Sequence, residues 1–140
     1  MRTQTRTLII AAVVAFSPAA FPQETKPATN APARRGDRSP PITVALNHHD
    51  KFNWIGAFSS APPPTNSIVG ALDAPEAVNR DLKLFWLACG KKDFLFKGNG
   101  DFDALLKSKS IRHEYLETEG DHSWPVWRRH LVEFAPKLFR

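Results

Sequence analysis

Leu84-Phe85-Trp86-Leu87-Ala88-Cys89 is apolar at every position, and this run constrains the fold more than any other feature of the chain. A strand with one wet face alternates apolar and polar residues; a strand covered on both faces does not. The run is short enough for a strand and too short for a helix of ordinary length. It predicts an interior strand of a parallel sheet, which needs crossover helices on its faces.

The flanking sequence fits that demand, because helical and strand-like patterns alternate on either side. Ile42 to Lys51 reads as the end of a helix, Trp54 to Phe58 as a short apolar strand, and Ser59 to Gly70 as a proline-rich loop. Asp73-Ala74-Pro75 then caps a short helix with Pro75 in its first turn. After the apolar run, Asp101 to Lys109 sets Phe102, Leu105 and Leu106 on one helical face, and His113 to Thr118 reads as a strand. A last helix starts at Ser123 as N-cap, with Pro125 in its first turn and Trp127, Leu131, Phe134 and Leu138 at helical spacing. Pro136 should kink it or end it early.

The amino-terminal part reads differently. Arg2 and Arg6 form a basic n-region, Leu8 to Phe16 an apolar core, and Ser17-Pro18-Ala19 a small-residue cleavage pattern. Together they read as a secretory signal, so residues 1–19 are expected to direct a secreted or periplasmic protein. The apolar core is well short of the about 20 residues that cross a bilayer, and no other stretch comes close, so no membrane span is expected. Residues 20–41, rich in Pro, Ala, Thr and charge, read as a disordered linker. The Arg35-Gly36-Asp37 tripeptide within it is too short a match to carry an adhesive function. Residues 42–140 are the expected folded domain. The formal charge of +5 includes Arg2 and Arg6 of the signal and Arg34, Arg35 and Arg38 of the linker. The remaining cations are interspersed with acids, a pattern that argues against a nucleic-acid partner.

Ligands of open parallel sheets bind beyond the carboxyl ends of the strands. Two polar residues sit at such positions: Asp93, reached from the apolar run through Gly90-Lys91-Lys92, and His122, reached from the next strand through Glu119-Gly120-Asp121. Adjacent strand ends could bring them into contact, where a carboxylate would hold an imidazole in one tautomer and stabilise its cation. On pattern alone, a solvated loop aspartate and a capping histidine remain open.

Gly120-Asp121-His122-Ser123-Trp124-Pro125-Val126-Trp127-Arg128 resembles the catalytic-histidine segment of an esterase family that includes enterochelin esterases, feruloyl and acetyl-xylan esterases and S-formylglutathione hydrolases. Leu87-Ala88-Cys89-Gly90-Lys91-Lys92-Asp93 resembles its acid-bearing strand and loop. Leu46-Asn47-His48-His49-Asp50-Lys51-Phe52 through Gly56-Ala57-Phe58-Ser59-Ser60-Ala61 resembles the segment just after its nucleophile. The resemblance runs from about Ile42 to Arg140 and implies a partial α/β-hydrolase fold, with Asp93 as triad acid and His122 as general base. It implies a small-molecule or carbohydrate ester as substrate, and no cofactor or metal.

The family's Gly-x-Ser-x-Gly nucleophile elbow should precede the acid. None of the seven glycines lies four residues before another, so the motif is nowhere in the chain. Ser59 and Ser60 are poor substitutes, because the resemblance sets them downstream of the nucleophile. The expectation is a truncated esterase, inactive for want of the serine. The alternatives are a non-catalytic secreted module binding a glycan or protein, or a non-functional deletion product. The family's strand before the nucleophile is also missing, which should leave an uncovered sheet edge.

Other candidates carry less. His48-His49-Asp50 lacks the spacing of helical zinc ligands and reads as a solvated helix end. Cys89, the single cysteine, reads as an inert core thiol. His113 and His130 read as surface residues, and Trp124 and Trp127 as core.

Overall fold

The computed structural model describes residues 41–138, so the signal-peptide reading, almost all of the linker and the Arg35-Gly36-Asp37 tripeptide lie outside the described residues. Within them, three strands form one sheet in the order β1-β2-β3: β1 (Trp54–Phe58), β2 (Leu84–Gly90) and β3 (Glu114–Thr118). Both pairings are parallel, with Phe58 opposite Ala88 and Gly90 opposite Thr118. The apolar run therefore forms the central strand, and all six residues from Phe85 to Gly90 are buried. The parallel sheet with crossover helices read from the sequence stands.

Alternate residues of β1 and β2 point to opposite faces, so each face needs its own cover. On one face Ile55, Ala57, Phe85 and Leu87 pack with helices α1 (Pro41–Asn47), α2 (Val69–Asp73), α3 (Pro75–Asp81) and α4 (Phe96–Ser108). Ile42 and Leu46 of α1, Val78 of α3, and Phe102 and Leu106 of α4 fill that side. On the other face Phe58, Trp86 and Ala88 meet Val126, Trp127 and Phe134 of α5 (Trp124–Phe134). The Phe58, Trp86 and Phe134 rings pack at centroid distances of 5.4 to 5.7 Å, two of the three contacts edge to face.

Prolines mark three of the helix and turn boundaries. Pro75 and Pro125 stand in the first turns of α3 and α5, where the missing N–H costs nothing, and α5 gives way to a 3-10 turn over Ala135–Lys137 that contains Pro136. Asp73 makes no cap; it ends α2, and Ala74 stands at the N-cap of α3. Helix α4 begins at Phe96, five residues before the expected start at Asp101, and takes in Gly98 and Gly100. Buried Asn99 holds that first turn by donating to the carbonyls of Ser60 (3.1 Å) and Leu95 (3.0 Å). The proline-rich loop also contains a 3-10 turn over Thr65–Ser67.

Among the described residues β1 has a strand neighbour on one side only, yet all five of its residues are buried. A strand edge with free N–H and C=O groups is a template for pairing with another chain. Reversible self-association that grows with protein concentration is therefore expected in sedimentation velocity. A strict monomer with one sharp unfolding transition would contradict it.

Candidate active site

Because β2 and β3 are adjacent and parallel, the loops leaving their carboxyl ends emerge side by side. Backbone bonds stitch the two together: Lys91 N–H donates to Thr118 O (2.8 Å) and Lys92 N–H to Gly120 O (2.9 Å). Asp93 closes a tight turn through its N–H to Gly90 O (3.0 Å). Gly90 must be glycine because a Cβ there would collide with the carbonyl of Gly120, which is itself in the left-handed region at φ +117°.

This stitching brings Asp93 and His122 together. His122 Nδ1 lies 2.9 Å from Asp93 Oδ2, and the Leu95 N–H donates to Asp93 Oδ1 at 2.8 Å. Both carboxylate oxygens are thus bonded, and the carboxylate is out of contact with solvent. With Nδ1–H given to Asp93, the neutral imidazole carries its lone pair on Nε2. That nitrogen is buried and has no hydrogen-bond partner, a condition that costs about 1–3 kcal/mol.

Aromatic rings surround the imidazole. The Phe94 ring centre is 4.7 Å from that of His122 at 44°, and Trp127 meets it edge-on at 4.9 Å. Trp124 lies 6.4 Å beyond Trp127. Trp127 is core, as its spacing indicates, but Trp124 is 54 % exposed and is not. It precedes the turn of α5 that faces the sheet, so helical spacing alone overstated its burial. Phe94, 73 % exposed, escaped the sequence reading; the only available signal was an apolar residue directly after the candidate acid.

The other candidates resolve differently. Ser59 and Ser60 are buried at the carboxyl end of β1, and Ser59 adopts φ +48°, so one of them does carry backbone strain. The chain then runs into Pro62, Pro63 and Pro64 and not into a helix, so this is no strand-turn-helix elbow. Burial, with the nearby Asp93 charge, pushes the Cys89 thiol up to about 12, which leaves it unreactive. His49 is not merely solvated; its Nδ1 is 2.8 Å from Asp81 Oδ2. His113 and His130 are not surface residues. His113 is enclosed between the Ile111 carbonyl (2.8 Å) and Asp103 (2.9 Å), and His130 is fully buried with Nε2 2.8 Å from Thr118 Oγ1. Both lie beside sheet aromatics, Phe85 for the first and Phe58 and Trp86 for the second, which no pattern of polar residues announces. Among the described residues no group of three or more His, Cys, Asp or Glu could hold a metal, and no helix is long and apolar enough to cross a membrane.

The geometry at Gly90 yields a direct expectation. Gly90→Ala should cost about 1–3 kcal/mol, the range for overpacking, because backbone and not a flexible side chain must move. It should also part the two loops, seen as loss of amide protection at Lys91 and Lys92 in hydrogen exchange. Unchanged protection there would refute the close-approach argument.

No family model matches the chain. An acetyl esterase from Caldicellulosiruptor saccharolyticus is 33 % identical over 74 residues, which span 48 % of this chain and 28 % of that protein. Three solved structures share the fold. A ferulic acid esterase superposes with a TM-score of 0.58 at 22 % identity, covering 67 % of this chain and 43 % of its own. S-formylglutathione hydrolase FrmB of Staphylococcus aureus gives 0.56 at 22 % identity, covering 69 % and 45 %. The serine hydrolase FphF of the same organism gives 0.54 at 21 %, covering 68 % and 48 %. The chain thus resembles α/β-hydrolase esterases in fold and spans less than half the length of each of these proteins.

Proposed function

We propose that this domain carries the acid and base of a serine-esterase site, with Asp93 as orienting acid and His122 as general base toward a small or carbohydrate-linked carboxylic ester. One observation supports this above all. The imidazole is tied to a buried carboxylate through Nδ1, while Nε2 is dry and unpaired on the other side of the ring. In acyl transfer such an Nε2 takes the proton of an attacking hydroxyl and returns it to the leaving alcohol, and the carboxylate steadies the intervening cation. Asp93 is built for that role because its second oxygen is occupied by the Leu95 N–H, so it stays a fixed acceptor and need not share a proton elsewhere.

The residues at hand supply no attacking hydroxyl of the elbow type, since the chain contains no Gly-x-Ser-x-Gly. We therefore read the chain as given as catalytically silent, and as exported on the strength of the n-region and apolar core of residues 2–16. A second reading, ligand binding without turnover, is favoured by the exposed Phe94 ring against His122 and the exposed Trp124 ring against Trp127. The deciding test is p-nitrophenyl acetate hydrolysis by this chain and by a version with a relative's elbow segment joined ahead of Ile42. Turnover that appears with the elbow and vanishes on His122→Ala supports the esterase reading. Turnover indifferent to His122 overturns it.

A further inference from the structure

His122 sits in the loop between β3 and α5, outside any helix or strand, so no regular backbone fixes its ring. A single hydrogen bond to Asp93 pins one nitrogen but leaves the ring free to pivot about that contact, because the last torsion of a histidine side chain is broad. Something else must fix the plane of the ring if Nε2 is to keep one direction.

We propose that Phe94 is a positioning residue for His122, its ring and that of Trp127 clamping the imidazole between them. The two partners differ in kind. Trp127 is 5 % exposed and belongs to the core under α5, so it is the fixed wall. Phe94 is 73 % exposed and gains little from burial, yet its ring centre stands 4.7 Å from the imidazole. Its backbone is held by the turn that holds the acid: Leu95 N–H bonds Asp93 Oδ1 and Phe96 N–H bonds Asp93 O at 3.0 Å. One turn thus delivers the carboxylate to Nδ1 and an aromatic ring to the imidazole, so the two contacts are set together. At this separation an aromatic ring also attracts the imidazolium, the state through which a general base must pass. The benefit to catalysis rests on the esterase reading above; the clamp itself exists without turnover and is tested without it.

The test is proton NMR of the full chain, following the downfield Nδ1–H resonance of His122, assigned by its loss in His122→Gln. Phe94→Ala and Phe94→Leu should speed its exchange with water by about two- to tenfold, the factor that one ring–ring contact is worth. Phe94→Tyr, which keeps the ring, should exchange at the parent rate. Amide protection in β2 and α5 should not change, as expected for a residue outside the core. Parent-like exchange in Phe94→Ala would overturn the proposal, as would a Leu variant matching Tyr, which would reduce Phe94 to bulk. Absence of the resonance from the parent chain would overturn it too. Should the Ala variant fail to fold, the Leu and Tyr pair decides alone. None of these readings depends on hydrolysis, so failure of the esterase reading in the elbow-bearing protein is told apart from failure of the clamp.

Discussion

Joined to a Gly-x-Ser-x-Gly segment ahead of Ile42, the domain is expected to hydrolyse p-nitrophenyl acetate with saturable kinetics, and His122→Ala is expected to cost about 10⁶-fold in turnover. That factor is what removing one member of a serine triad costs when the group acts as a unit, roughly 8 kcal/mol of barrier. Asp93→Asn should cost about 10⁴-fold, because the amide holds the ring in the wrong tautomer while leaving the geometry near 2.9 Å intact. The chain as given should show neither saturation nor dependence on His122, since without an oriented hydroxyl the imidazole has no nucleophile to activate and only background hydrolysis by solvent remains. The ordering of the three results carries the argument. If the chain as given were already active and lost that activity on Ser59→Ala, the strained Ser59 would be the nucleophile and the reading of the site would be wrong.

Much of this was legible in the sequence because the governing physics is local. The all-apolar Leu84–Cys89 run suits a strand buried on both faces, and Pro75 and Pro125 marked helix starts because few other positions tolerate them. The meeting of Asp93 and His122 was legible for a related reason: parallel neighbours must send their carboxyl ends to the same side, and each residue follows such an end. What failed depends on distant partners. The first turn of α4 contains Gly98 and Gly100, poor helix formers, and is held by the Asn99 bond to Ser60 far back in the chain. Leu131 shares the spacing of the buried α5 residues but is 48 % exposed, because the period of a helix fixes a direction and not how far the covering sheet extends. The enclosed histidines were misplaced because burial of His113 and His130 is decided by Asp103 and Thr118, which the chain brings up from other elements.

His130 makes the second large prediction, on acid stability. It is fully buried on the sheet-facing side of α5, between the Thr118 hydroxyl and the Phe58 and Trp86 rings, with Nδ1 unpartnered. Burial, with the Arg129 charge adding to it and Asp93 opposing, lowers its pKa from 6.5 to about 4. A base whose pKa falls on folding binds more protons when unfolded, so its contribution is complete above the unfolded value near 6.5 and is lost as the pH falls toward 4. The full difference is about 3 kcal/mol, with about 2 kcal/mol gone by pH 5. For a domain of this size that is a large part of the total. Carboxylates such as Asp103 add to acid sensitivity only lower down. Burial opposes its charge, but the bonds from Lys107 and His113 outweigh burial and hold it below its usual 3.8. Urea unfolding at pH 7 and pH 5 should therefore show the parent losing about 2 kcal/mol more than His130→Leu over that interval, the subtraction cancelling every other titrating group. An equal loss in both proteins would mean that His130 takes up its proton in the folded core, and that the second face of the sheet is more open to water than its packing indicates.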